Sequence, residues 1–138
     1  MLRAILYISD STLEDPNTEQ EQLNSIRTIS KKANQENEIS GVLAYHQDKF
    51  FHVLEGESET INNLLKVISL DKRNKNISVL LDVTPEKRIY SDWSLIESHS
   101  QKQSKLLGAF LQCHIDLLPT LEQKQHDDLE EFVDKIFY

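Results

Sequence analysis

Residues 2–9, Leu-Arg-Ala-Ile-Leu-Tyr-Ile-Ser, constrain the fold more than any other segment of the chain. Side chains alternate across a strand, so Leu2, Ala4, Leu6 and Ile8 fall on one face, while Ile5 and Tyr7 share the other with Arg3 and Ser9. A strand apolar on both faces belongs in a sheet covered on both sides. The rest of the chain must therefore supply two covering layers.

After a polar stretch from Asp10 to Asn17, Thr18-Glu19-Gln20-Glu21 has the capping-box pattern of a helix start. Leu23, Ile26, Ile29 and Ala33 then recur at helical spacing, predicting a helix over 19–35. Two strands over 39–46 and 49–55 follow, joined near Gln47-Asp48 and closed by Gly56. That turn lacks Gly, so the hairpin is read from its flanks. Ser58 is a candidate cap for a second helix, whose buried stripe is Ile61, Leu64, Leu65 and Ile68. Strands over 76–83 and 91–97 complete the order βαββαββ, whose first six elements have the order of a ferredoxin-like sheet with both helices on one face.

Residues 101–111 and 120–137 read as two more helices, the latter opening on the capping box Thr120-Leu121-Glu122-Gln123. They are the only material left for the second face of the sheet. The expected class is α+β, a ferredoxin-like βαββαββ sheet with two helices on one face and a C-terminal two-helix cap on the other. The expected division is a sheet-and-helix domain over 1–98 and a cap over 99–138.

Composition removes several functions. A formal net charge of −8 disfavours a surface that tracks nucleic acid phosphates. The single cysteine, Cys113, cannot form an internal disulfide, and no apolar run approaches the ~20 residues that span a bilayer. The N-terminal run reads as a strand rather than a secretory signal, so a cytoplasmic location away from membranes is expected. His46, His52, His99, His114 and His126 lack ligand spacing, so no metal is expected. There is no Gly-rich phosphate loop and no nucleophile elbow, and Cys113 has no His nearby; the expectation is not an enzyme. A small ferredoxin-like hydrolase would want a phosphate loop after the first strand, where Asp10 to Asn17 has three acidic residues and no Gly.

Tyr7, Asn34 and His52 are the more informative set. Each alone has an ordinary structural reading: a core tyrosine, a polar residue late in a helix, a half-exposed strand histidine. Tyr7 faces the helices if its own side of the first strand does.

Five blocks carry a resemblance: Ile5-Leu6-Tyr7-Ile8-Ser9, Ala33-Asn34 before Gly41, Phe50-Phe51-His52-Val53-Leu54-Glu55-Gly56, Asp71-Lys72-Arg73-Asn74, and Asp92-Trp93-Ser94-Leu95. Over residues 2–97 the chain resembles the BLUF family of blue-light sensors using FAD. The resemblance implies a flavin ring between the first two helices, its edge against the sheet. Asn34 then resembles the family's amide that pairs with the ring N3–H and C4 carbonyl, offering donor and acceptor together. Ile26 and Ser30 precede it on the same helix face. Arg73 and Asn74 stand where the family places polar contacts to the pyrimidine side or phosphates; Lys72, Arg73 and Lys75 also read as a solvated helix end. Tyr7 resembles the redox-active tyrosine, and Trp93 either approaches the chromophore or packs in the core.

Two positions depart from the pattern. Residue 52 is His where the family has a glutamine that bridges the tyrosine to the flavin and rearranges after excitation. Residue 95 is Leu where Met is common, a change close to conservative in volume. Imidazole also carries donor and acceptor nitrogens, but on a rigid ring. His52 is thus expected either to bridge Tyr7 and flavin without the family's light-adapted state, or to take up a proton and bring pH dependence. The implied function is a sensory flavoprotein with an altered photocycle, passing its signal through 99–138 to a separate downstream protein or by homo-oligomerisation. The alternative is an interaction module that has lost flavin or light sensing. FAD is not separated from FMN or riboflavin by the sequence.

Overall fold

In the computed structural model, residues 1–13, 15–46 and 48–97 are described, together with Gln123 and Asp127. The elements are β1 (Leu2–Ser11), α1 (Pro16–Glu36), β2 (Ser40–His46), β3 (Lys49–Glu57), α2 (Ser58–Leu70), β4 (Asn74–Val83) and β5 (Trp93–Glu97). The five strands form one sheet in the order β4-β1-β3-β2-β5, antiparallel except where β5 runs parallel to β2. This is the expected α+β ferredoxin-like arrangement. The anticipated helices over 101–111 and 120–137 lie outside the described residues, apart from Gln123 and Asp127, which are helical.

β1 divides its side chains as its alternation requires. Ala4, Leu6 and Ile8 join Val42, Phe51, Val53 and Leu81 in one core. Ile5 and Tyr7 join Leu23 and Ile26 of α1 and Ile61 of α2 in the other. Tyr7 therefore faces the helices. Because β1 and β3 flank each other at the centre of the sheet, Tyr7 sits directly opposite His52 in register.

Both helices begin differently from expectation. α1 starts at Pro16, with Asp15 as its cap accepting a hydrogen bond from the Asn17 amide at 2.9 Å, so Thr18 is already inside the first turn. Proline at the first helical position lacks only an amide hydrogen that would have no helical partner anyway. α2 is capped by Glu57 backbone geometry without a side-chain bond, and Ser58 is its first residue rather than its cap. The apolar stripe on α1 is also narrower than its periodicity suggests. Leu23 and Ile26 are buried, whereas Ile29 is 65% exposed. The reason emerges at the site, where Ile29 and Ala33 line a cleft instead of packing on the sheet.

Two backbone devices place the site strands. The β2–β3 hairpin turns without glycine because Asp48 adopts φ 65°, a left-handed conformation that Asp tolerates better than most residues. Gly41 has φ 141°, and a Cβ there would lie 2.0 Å from the Val53 carbonyl oxygen. The Gly41 amide donates to the Asp92 carbonyl at 2.9 Å, and Gly41 is paired with Trp93. A side chain at 41 would push β2 off β3, and β5 with its indole would move too.

Candidate functional site

A cleft of about 240 Å³ opens between α1 and α2 above the sheet. Its helix walls are Ile26, Ile29, Ser30, Ala33 and Asn34 from α1 and Leu64, Val67 and Ile68 from α2. Its floor is Tyr7, Leu43, Phe50, His52 and Trp93, and Asp71, Arg73 and Asn74 close one end. Seven residues anticipated as ligand contacts (Tyr7, Ile26, Ser30, Asn34, His52, Arg73 and Asn74) thus lie together, with Trp93 beside them. Leu95 does not line the cleft; it is buried in the adjoining core cluster, opposite Leu43 in register.

Three polar groups at the cleft have hydrogen-bonding capacity that the described residues leave unused. Asn34 is only 4% exposed, yet among the described residues its side-chain amide makes no hydrogen bond. Asn74 donates from Nδ2 to the carbonyls of Ile68 and Asp71, at 3.2 and 3.0 Å, while its buried Oδ1 accepts nothing. Tyr7 Oη has one partner, His52 Nδ1 at 2.8 Å, and so has capacity for a second. A fully buried acceptor without a partner, as Asn74 Oδ1 is, costs roughly 1–3 kcal/mol, which a ligand of complementary pattern relieves. Apolar walls with a few convergent polar groups suit a flat heteroaromatic ring. The residues present fit a flavin.

His52 is engaged on both sides. Trp93 Nε1 donates to His52 Nε2 at 2.9 Å, so the imidazole links Tyr7 on β1 to Trp93 on β5. Its rings meet both partners edge-on, with centroids 5.2 Å from Tyr7 and 6.0 Å from Trp93. Of the two alternatives for His52, proton uptake is displaced to acid pH, because burial pushes its pKa down to about 3. Burial, reinforced by the Asp71 charge, also raises the Tyr7 phenol, which stays protonated at neutral pH.

Arg73 is not a loose solvated cation. Its Nε and Nη2 form a forked pair with Asp71, with contacts of 2.6–3.2 Å. The pair holds the Asp71 carboxyl below its usual range and the Arg73 guanidinium above its own. Asp71, Leu64, Val67 and Ile68 were missed as site residues by sequence reasoning. The two-residue spacing of Asp71 and Arg73 was the one available signal for the ion pair; Leu64 and Ile68 read only as core stripe, and Val67 lay outside that stripe.

The family model described as "Sensors of blue-light using FAD" matches residues 2–96. The chain is 32% identical over 104 residues to photoactivated adenylate cyclase subunit alpha of Euglena gracilis, a match covering 75% of this chain and 10% of that protein. It is 30% identical over 89 residues to the blue light- and temperature-regulated antirepressor BluF of Escherichia coli (strain K12), covering 64% of this chain and 21% of that one. The chain therefore spans about a tenth of the length of the cyclase subunits it matches. Among solved structures, a bacterial light-regulated adenylyl cyclase aligns with TM-score 0.67 and 31% identity over 85% of this chain and 36% of its own. The photo-activated state of BlsA aligns with TM-score 0.69 over 99% of this chain and 95% of its own; at 24% identity it speaks to the fold alone. By its family match and its fold alike, the chain belongs to the BLUF family of blue-light sensors.

Proposed function

We propose that this chain senses blue light through FAD held by its flavin ring in the cleft between α1 and α2, and that His52 gives it a light response unlike that of a glutamine at the same position. The observation that carries the reading is the convergence on one apolar cleft of the Asn34 amide and Asn74 Oδ1, neither bonded to the protein among the described residues, and of the Tyr7 hydroxyl, which has capacity beyond its bond to His52. Asn34 offers a donor and an acceptor to an imide-like ring edge. Ile26 and Val67 line the opposing walls that would hold the ring, and the Asp71–Arg73 pair fixes the end of the cleft. At about 240 Å³ the cleft is smaller than pockets that swallow a whole drug-sized ligand (~300–1,000 Å³), so the ring enters and the rest of the dinucleotide stays outside.

Bound there, the flavin supplies the absorption of blue light and an oxidising excited state. Tyr7 is the phenol that lines the floor of the cleft, and it is held by His52, which Trp93 holds in turn. β5 leads from Trp93 to Glu97, which pairs with Arg27 of α1 at 3.6 Å. The signal leaves along this strand toward 99–138 and from there to a separate downstream protein or a second copy. Nothing in this scheme consumes a substrate.

An absorption spectrum of the purified chain, loaded with FAD and recorded before and after blue light, tests both halves. A yellow protein with little or no reversible red shift is expected, and His52→Gln is expected to restore the shift. A chain that takes up no FAD rejects the cofactor; a full reversible shift in the unaltered chain rejects the role given to His52.

A further inference from the structure

The Tyr7–His52–Trp93 contacts fix more than distances. An indole N–H can only donate, so His52 Nε2 must present a lone pair to Trp93. An imidazolium has none to offer, so His52 is neutral and its single proton sits on Nδ1. That N–H points at Tyr7 Oη, 2.8 Å away, which makes the phenol oxygen the acceptor. The hydroxyl hydrogen of Tyr7 then has no acceptor among the described residues, and Tyr7 lines the cleft.

We propose that Trp93 is a positioning residue that locks His52 as the Nδ1–H tautomer and so turns the Tyr7 hydroxyl into a donor directed at the ligand. The cleft accordingly selects a heteroaromatic ring that presents an acceptor atom beside Tyr7, where a protein with the opposite tautomer selects a donor. The lock holds because its two ends are on different strands of one sheet. Moving the proton to Nε2 sets two N–H groups against each other at 2.9 Å, and turning the ring breaks both hydrogen bonds. A side-chain amide in this place carries both functions at one end and exchanges them by rotation; the imidazole cannot. The charged groups at the cleft, Asp71 and Arg73, are paired with each other and leave the imidazole to these two partners.

The ligand half of this inference rests on the flavin reading, whereas the tautomer half does not. Long-range proton–nitrogen correlation spectra of the flavin-free chain, labelled with nitrogen-15 at histidine, read the tautomer directly, and the signal missing in His52→Gln identifies His52. The expected pattern is a protonated Nδ1 and a bare Nε2, lost to a mixture in Trp93→Phe and kept in Tyr7→Phe. A protonated Nε2 in the unaltered chain, or a tautomer that follows Tyr7 rather than Trp93, overturns the lock. FAD titration supplies the second readout: Tyr7→Phe should bind about 2- to 12-fold more weakly, the worth of one neutral hydrogen bond. Equal affinity overturns the donor assignment. If no form binds FAD, the cofactor reading and the ligand half fall together, and the spectra still decide the lock.

Discussion

Two buried polar clusters lie three residues apart on β3, on opposite faces of the sheet, and they are built on opposite logics. Glu55 is fully buried, and its carboxyl oxygens accept from Ser40 Oγ at 3.0 Å, Ile89 N at 2.8 Å and Tyr90 N at 2.9 Å. Arg88 closes the knot by donating to Ser40 Oγ and to the carbonyls of Glu55 and Glu38. Every group in that cluster is answered by the protein. Across the sheet, His52 is satisfied but Tyr7 has a hydrogen to give, and Asn34 and Asn74 have capacity unused. A closed network stitches the segment after β4 onto the sheet; an open one is what a binding site looks like before its guest. Burial by itself does not separate structure from function here, whereas the accounting of donors and acceptors does.

Breaking the closed cluster should have the largest effect on stability. Glu55→Ala leaves three donors without an acceptor and is expected to cost about 3–5 kcal/mol in urea unfolding. A loss under about 1 kcal/mol would mean that water or rearrangement satisfies the knot. The sharper probe of the open cluster is pH. Unfolded imidazole protonates near 6.5 whereas His52 in the fold resists until about pH 3, so between those values the unfolded chain binds more protons. Stability from this group is therefore complete above about pH 6.5 and drains away as pH falls. From pH 7 to 5 the unaltered chain should lose about 2 kcal/mol relative to His52→Gln. A difference independent of pH would show an imidazole open to water.

Asn34→Ala should have the smallest effect on the fold and a large one on the ligand. With no protein partner to lose and a better helix former gained, the flavin-free chain should shift by no more than about 0.5 kcal/mol. Affinity for FAD should fall about tenfold or more, since two hydrogen bonds go at once. If stability drops as it does for Glu55, the amide is structural and the contrast between the two faces collapses.

Much of this is legible in the amino-acid sequence. Alternation in 2–9 gave a strand apolar on both faces and put Tyr7 with Ile5, opposite Leu6 and Ile8, and the blocks around Asn34, His52 and Arg73 marked residues that do converge; which face meets the helices was decided by the fold. Helix starts were less legible, because Asp15-Pro16 and Thr18 to Glu21 are competing start signals and the aspartate cap with proline behind it prevailed. Ile29 misled for a different reason: periodicity reports which face a residue is on, and a cleft lies on the same face as the core.

What the residues determined by themselves was the set of groups available: an amide, a phenol, an imidazole and an indole, spaced so that a ferredoxin-like sheet gathers them. What only the tertiary structure decided was which of them answer one another. Trp93 reaches His52 across β2, from a strand more than forty positions later, and no local pattern encodes that contact. Hydrogen-bond direction depends on both partners at once. The tautomer of His52, and with it the role of Tyr7, is therefore a property of the fold rather than of any segment in it.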